Sequence, residues 1–210
     1  MDIYKMNLWQ IFLAGGPVMW LILLCSIFAL AIILERLWQL HRFKIDTQRF
    51  LKSILDKMRH QKIKEALEIC DKTHSPISYI LKAGILKHDR TRPQIKEAIE
   101  DASLYEIPKL ERNLSLLATI AHISPLLGLL GTVTGMVRCF QAIQVKATSF
   151  NPVSPGDLAG GIWEALLTTV FGLIVAIPTY VAYNYLVNRI NNFILEMEKA
   201  ATELVNFLSE

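Results

Sequence analysis

Residues 113–137 read NLSLLATIAHISPLLGLLGTVTGMV, 25 positions without a Lys, Arg, Asp or Glu. About 20 apolar residues in a helix cross the ~30 Å hydrocarbon core of a bilayer, so this stretch is long enough to span one. A soluble helix of such length carries a charged stripe at helical spacing, and none is present. Two more gaps of the same kind flank it in the chain: 29 residues between Lys5 and Glu35, and 24 residues at 165–188. The pattern predicts an all-α membrane protein with three transmembrane helices, at 16–37, 113–143 and 158–187. The first apolar run is too long for a signal peptide, does not start basic, and ends in Glu35-Arg36-Leu37-Trp38 rather than a small-residue cleavage site. It reads as a retained anchor, with Trp20 and Trp38 near its ends, where interfacial aromatics gather.

Composition agrees. Of 210 residues, 52% are hydrophobic and 20% charged, which excludes disorder as the main state. Cys25, Cys70 and Cys139 are too few and too far apart for a disulfide framework. A formal net charge of +3 gives no case for nucleic-acid binding.

Basic residues set the expected orientation. Positions 36–112 hold 17 Lys/Arg against 11 Asp/Glu, whereas the N-terminal tail and the loop after span two hold one basic residue each, Lys5 and Lys146. The positive-inside rule places the basic segment in the cytoplasm. Residues 1–15 then form a short outer or interfacial N-terminus, 38–112 a cytoplasmic helical segment, 144–157 an outer loop and 188–210 a cytoplasmic helical tail.

Within 46–108 the apolar residues recur at helical spacing: Phe50, Ile54, Met58; Ile63, Ala66, Leu67, Cys70; Ile77, Ile80, Leu81, Gly84; Ile95, Ala98, Ile99, Ala102. Ser75-Pro76 reads as an N-cap followed by proline in the first helical turn. No strand signal competes. The tail repeats the pattern with Ile190, Phe193, Ile194, Met197, Ala201, Leu204, Val205 and Leu208, and no Gly or Pro interrupts it. Span three is therefore expected to continue into the tail as one rod of about 80 Å at 1.5 Å per residue. Span two is expected to extend similarly through Glu111 toward Pro108. A rod with an apolar stripe calls for a partner, either another copy or the chain's own cytoplasmic helices.

Span two carries a narrow stripe of small residues: Ala121, Ser124, Gly128, Thr132, Gly135 and Cys139. Span three has a matching one in Ala165, Thr169, Gly172, Ala176 and Thr179, with Pro178 inside it. Such stripes let helix backbones approach closely, or line a pore that admits another helix. Ser154-Pro155-Gly156-Asp157 looks like a helix start, with Asp157 as the reciprocal acid of a capping box. Glu164 follows about 10 Å further on, below the outer interface. A carboxylate there costs about 2.5–3.5 kcal/mol or more if charged and unpaired. Desolvation disfavours the charged form of a carboxylate, which suits a proton-carrying site. The other reading of Glu164 is an interfacial or structural pair with Arg138. His122, near the cytoplasmic end of span two, fits packing better than a relay. No metal-ligand spacing, phosphate loop, nucleophile elbow or CxxC appears, so neither an enzyme nor a cofactor is indicated.

Two blocks, LATIAHISPLLGLLGTVTGM at 117–136 and DLAGGIWEALLTTVFGLIVAIPTYVAYN at 157–184, resemble the MotA/TolQ/ExbB proton-channel family. Within it the chain looks closer to ExbB and TolQ than to MotA, having three spans where MotA has four and keeping the Glu of the Glu-Ala-Leu block. A short N-terminal tail, His122 and Trp163 depart from the pattern, and ExbB and TolQ are not separated. The resemblance implies a homopentamer in the bacterial inner membrane, with a periplasmic N-terminus and a cytoplasmic C-terminus. Its pore would hold the single-span helices of an ExbD- or TolR-like dimer, and a TonB- or TolA-like protein would carry motion outward. It implies a proton path through Glu164, Thr132 and Thr169, with an Asp supplied by the partner. Gly128, Gly135, Ala165 and Gly172 would be the small pore-lining residues. The rival reading is a passive membrane scaffold that holds a partner carrying the whole proton path. A secondary transporter is disfavoured, since the three spans show no inverted repeat.

Overall fold

The computed structural model describes residues 8–43, 46–148 and 154–209. The described elements are all helices: α1 (Leu8–Ala14), α2 (Val18–Arg42), α3 (Thr47–Arg59), α4 (Ile63–Lys72), α5 (Pro76–Ile85), α6 (Arg92–Glu111), α7 (Leu114–Thr148) and α8 (Pro155–Leu208). Three of them, α2, α7 and α8, are long and apolar enough to cross a membrane. The chain is an all-α membrane protein. Lys5, the part of the outer loop at 149–153 and the Asp157 side chain expected to close a capping box lie outside the described residues.

The chain divides into two units. The first takes in the residues up to 34 and 115–184. Its α2 starts at Val18, two residues later than the span read from Gly16, because Gly16 adopts a left-handed φ of +70° and Pro17 follows. The Gly15-Gly16-Pro17 turn separates α2 from α1, a short helix that hydropathy alone did not foretell. Trp9 and Phe12 of α1 and Trp20 of α2 form an aromatic cluster, with Phe12 and Trp20 edge to face at 4.9 Å. The buried faces comprise Met19, Ile22, Ala29 and Ile32 of α2, Leu117, Ala121 and Ser124 of α7, and Ala165, Thr168, Ala176 and Thr179 of α8. The outward faces are the larger apolar ones, including Leu24, Phe28, Leu126, Leu129, Ile174 and Ile177. That inversion suits hydrocarbon rather than water as the surrounding solvent, with backbone polar groups satisfied within each helix.

The second unit takes in 35–114 and the residues from 185 on. Here α3, α4, α5 and α6 realise the amphipathic pattern: Phe50, Ile54, Met58, Ala66, Cys70, Ile77, Ile80, Leu81, Ile95 and Ile99 are all buried. Ser75 is the N-cap of α5 in extended backbone, with Pro76 opening the helix and Ser78 Oγ accepting the Ser75 N–H at 3.4 Å. Gly84 lets α5 approach two neighbours at once. A Cβ there would lie 2.8 Å from Ile99 Cδ1 and 3.1 Å from Leu204 Cδ2. The apolar stripe of the tail is accordingly covered by the chain's own helices, and Ile190, Met197, Leu204 and Val205 are buried. The stripe does not by itself call for a second copy, because α3–α6 supply the apolar surface it needs. Thr47 Oγ1 to Glu196 Oε2 (3.1 Å) and Arg92 Nη2 to Asn206 Oδ1 (2.8 Å) tie the same helices to α8.

The rod expected from span three is present as one helix, α8, running unbroken through Pro178. The extension expected for span two is not. Arg112 leaves the helical region with ψ 139°, and Asn113 is left-handed with φ 62°, so α6 and α7 are separate helices. Asn tolerates that conformation better than most side chains. The carboxylate of Glu35 accepts the Asn113 amide at 3.3 Å. Next to it, Arg36, which is 2% exposed, donates to Gln39 Oε1 at 2.6 Å and to the carbonyl of Lys109 at 3.3 Å. Lys109 is in the last turn of α6, so the second contact satisfies a carbonyl that the helix itself leaves open.

Candidate functional site

The site is built where α7 and α8 touch. Glycine makes this contact close. A Cβ on Gly128 would lie 3.0 Å from Thr169 Cα, one on Gly135 2.7 Å from the Gly161 carbonyl, and one on Gly172 2.7 Å from the Ser124 carbonyl. Each neighbour is backbone, so a side chain at Gly135 or Gly172 would force the helices apart and one at Gly128 would press on α8. Gly128, Gly135, Ala165 and Gly172 are all buried in this seam, where Gly135 also abuts Ala165 Cβ. Within the subunit these four pack α7 against α8, as a small-residue stripe allows.

Thr169 lies on the seam. Its hydroxyl donates to the Gly128 carbonyl on α7 at 3.2 Å and shares its own-helix carbonyl of Ala165 at 3.4 Å. Thr168, which sequence reasoning passed over, is fully buried, donates to Ala165 O at 2.8 Å, and fills the space that Gly131 leaves open. The signal available for it was its position beside Thr169, opposite the Gly131–Gly135 spacing. Thr132 is half-buried and donates to Leu129 of its own helix at 2.7 Å. Among the described residues no hydrogen bond joins Thr132 to Glu164 or Thr169.

Glu164 is placed by three elements. Its carboxylate, 13% exposed, takes hydrogen bonds at both oxygens from Arg138 Nη1 of α7, that to Oε2 being 2.5 Å. On its other side is the α1–α2 turn. A Cβ on Gly16 would collide with Glu164 Oε1 and come within 3.3 Å of Arg138 Nη1. Gly16 lies two residues before α2, so the ion pair is level with the N-terminal end of that span. This is the pairing with Arg138 that the spacing allowed. The Gly-Gly-Pro sequence marked a turn, but nothing in the sequence marked it as the neighbour of Glu164.

At the other end of the same unit, His122 Nδ1 contacts the Ala118 carbonyl at 2.7 Å, and its ring meets Tyr180 of α8 edge to face with centroids 6.1 Å apart. From Glu164 to Tyr180 is 16 residues of one helix, about 24 Å.

Residues 72–199 match the profile of the MotA/TolQ/ExbB proton channel family. A biopolymer transport ExbB homolog of Methanothermobacter thermautotrophicus is 30% identical over 190 residues, covering 90% of this chain and 66% of the relative. An ExbB-like biopolymer transport protein of Synechocystis is 33% identical over 172 residues, covering 82% of this chain and 81% of the relative. The Tol-Pal system protein TolQ of Haemophilus influenzae is 44% identical over 87 residues, 41% of this chain and 36% of the relative.

Proposed function

The chain belongs to the MotA/TolQ/ExbB proton channel family, and from that premise we propose that it is the proton-channel subunit of an ExbB–ExbD or TolQ–TolR type complex. In this reading it assembles as a homopentamer in the inner membrane, with the N-terminus periplasmic and the C-terminus cytoplasmic. Its pore holds a dimer of a single-span ExbD- or TolR-like protein, and a TonB- or TolA-like protein carries the resulting motion to the outer membrane. The chain binds no nucleic acid, needs no cofactor and performs no enzymatic step.

The observation that carries the reading is Glu164. It is a carboxylate at the α7–α8 seam of a membrane-spanning unit, one turn and a half before Thr169 on the same helix. In the proposed path Glu164 takes a proton from the outer side and passes it toward an acid of the partner. Thr132 and Thr169 supply hydroxyls that hold water or relay hydrogen bonds. The seam of Gly128, Gly135, Ala165 and Gly172 keeps α7 and α8 close enough for both helices to serve one path. A proton gives up about 2.3 kcal/mol per 100 mV, so a potential of about 150 mV delivers about 3.5 kcal/mol per proton, enough to bias a small tilt or rotation of the partner helices.

The pairing with Arg138 also favours a second reading, in which Glu164 is structural and the chain a scaffold for a partner that carries the path alone. Replacing Glu164 by Gln separates them. The channel reading expects energised transport to be lost while membrane insertion and assembly persist. Normal transport in that variant supports the scaffold.

A further inference from the structure

We propose that Arg138 is a latch on Glu164, a positioning residue that opposes protonation of the carboxylate until the ion pair opens, and that the Gly16 turn keeps the latch shut. The proposal rests on the proton-path reading and adds to it the control of the first step.

The chemistry of the pair makes it a two-state element. A guanidinium offers only donors and stays charged. Arg138 Nη1 donates to both oxygens of Glu164. A protonated carboxyl carries its own O–H, for which the guanidinium has no acceptor. The carbonyl oxygen of the protonated acid can still accept, but the charge and one of the two acceptors are lost, so the proton and the two-oxygen grip of Arg138 compete for the same carboxylate. Loading is opposed while the arginine holds both oxygens, and that grip re-forms only once the proton has gone.

The surroundings decide which partner can move. Glu164 is 13% exposed and Arg138 is 47% exposed. The carboxylate is also backed by the Gly16 backbone, where even a methyl group would collide with Oε1 and stand 2.8 Å from the carboxyl carbon. The turn itself is closed by Gly16 N–H to the Leu13 carbonyl (3.4 Å) and Met19 N–H to the Gly16 carbonyl (3.2 Å). Gly16 has a φ of +70°, a conformation in which glycine is unstrained. The acid is thus the enclosed half of the pair and the arginine the more exposed half. The α1–α2 turn has a reason to carry glycine at this position beyond turning the chain.

The test is passive proton leak across membrane vesicles from cells that express the full chain with its native partners, read as the decay of an imposed pH step. Removing a latch raises the leak through Glu164, so that leak vanishes when Glu164 is replaced as well, whereas a leak from lost packing persists. Arg138→Gln is expected to speed the decay severalfold. Arg138→Gln with Glu164→Gln is expected to return it to the wild-type rate. Gly16→Ala, which pushes the carboxylate off the pair without touching either charge, is expected to leak in the same direction and decides the matter if Arg138→Gln fails to insert. Decay unchanged or slowed at normal membrane levels overturns the latch. So does a leak that persists in the double variant. Energised proton flux that is normal in Glu164→Gln overturns the underlying proton path. Flux lost in Glu164→Gln together with no leak in Arg138→Gln or Gly16→Ala overturns the latch alone.

Discussion

The hydroxyl of Thr169 on α8 donates to the backbone carbonyl of Gly128 on α7, 3.2 Å across the helix seam. A side chain on residue 128 would strain that contact, since its Cβ would stand 3.0 Å from Thr169 Cα. The two residues therefore depend on one another: the glycine brings the backbones together, and the threonine uses the closeness. In helices the Gly128 carbonyl already has an intrahelical partner, so the threonine bond adds a second one and fixes the hydroxyl at the seam.

Thr169→Val keeps the shape of the side chain and removes the hydroxyl. Interhelical hydrogen bonds in membranes average about 0.6 kcal/mol, so the thermal stability of the purified chain in nanodiscs should change by no more than about 1 kcal/mol. Proton flux through the assembled complex is expected to fall much further, with Thr169→Ser retaining most of it. Equal flux in the valine and serine variants would remove the hydroxyl from the path.

Gly135→Val tests the seam as a structural device. The added Cβ would meet the Gly161 carbonyl at 2.7 Å and Ala165 Cβ at 2.9 Å, so α7 and α8 must separate. Overpacking of this kind costs about 1–3 kcal/mol. The variant should melt at a lower temperature and yield less folded protein, and Gly161→Val, which acts on the same contact from the other side, should do likewise.

Cys70 gives the second unit a pH signature. Burial, and secondarily the nearby charge of Asp71, push its thiol from the ordinary value of 9.0 up to about 11, with Lys82 opposing. A raised value in the folded chain means that the stabilisation is complete below pH 9 and is lost as pH climbs toward 11. Denaturation between those values should be steeper in the wild type than in Cys70→Ala. At neutral pH the thiol, 2% exposed at the residue level, should react with maleimide only on unfolding.

Much of this architecture was legible because a membrane leaves a coarse mark. A charge-free run longer than a bilayer is thick is rarely tolerated in water, and Phe50, Ile54 and Met58 or Ile77, Ile80 and Leu81 repeat at a spacing only a helix turns into one face. The break at Arg112–Asn113 was not legible, since no Gly or Pro marks it and the two helices read as one pattern. Arg36 was not either. Counted as one more basic residue at a span's end, it proves buried and bonded to the Lys109 carbonyl, a contact between positions 73 residues apart. The same holds at the site. Glu164, Thr169 and the glycines stand out by residue type, but Gly16 and Thr168 acquire their roles only from what packs against them. The two meanings of a small-residue stripe, pore or seam, differ in tertiary neighbours and not in spacing.

Whether Glu164 carries protons is tested most directly by proton flux in liposomes holding this chain with a single-span ExbD- or TolR-type partner. With a potential imposed, the wild-type complex should conduct and Glu164→Gln, present at the same level and assembled to the same size, should not. Flux in Glu164→Gln equal to that of the wild type would contradict a proton-carrying Glu164 and place the path elsewhere.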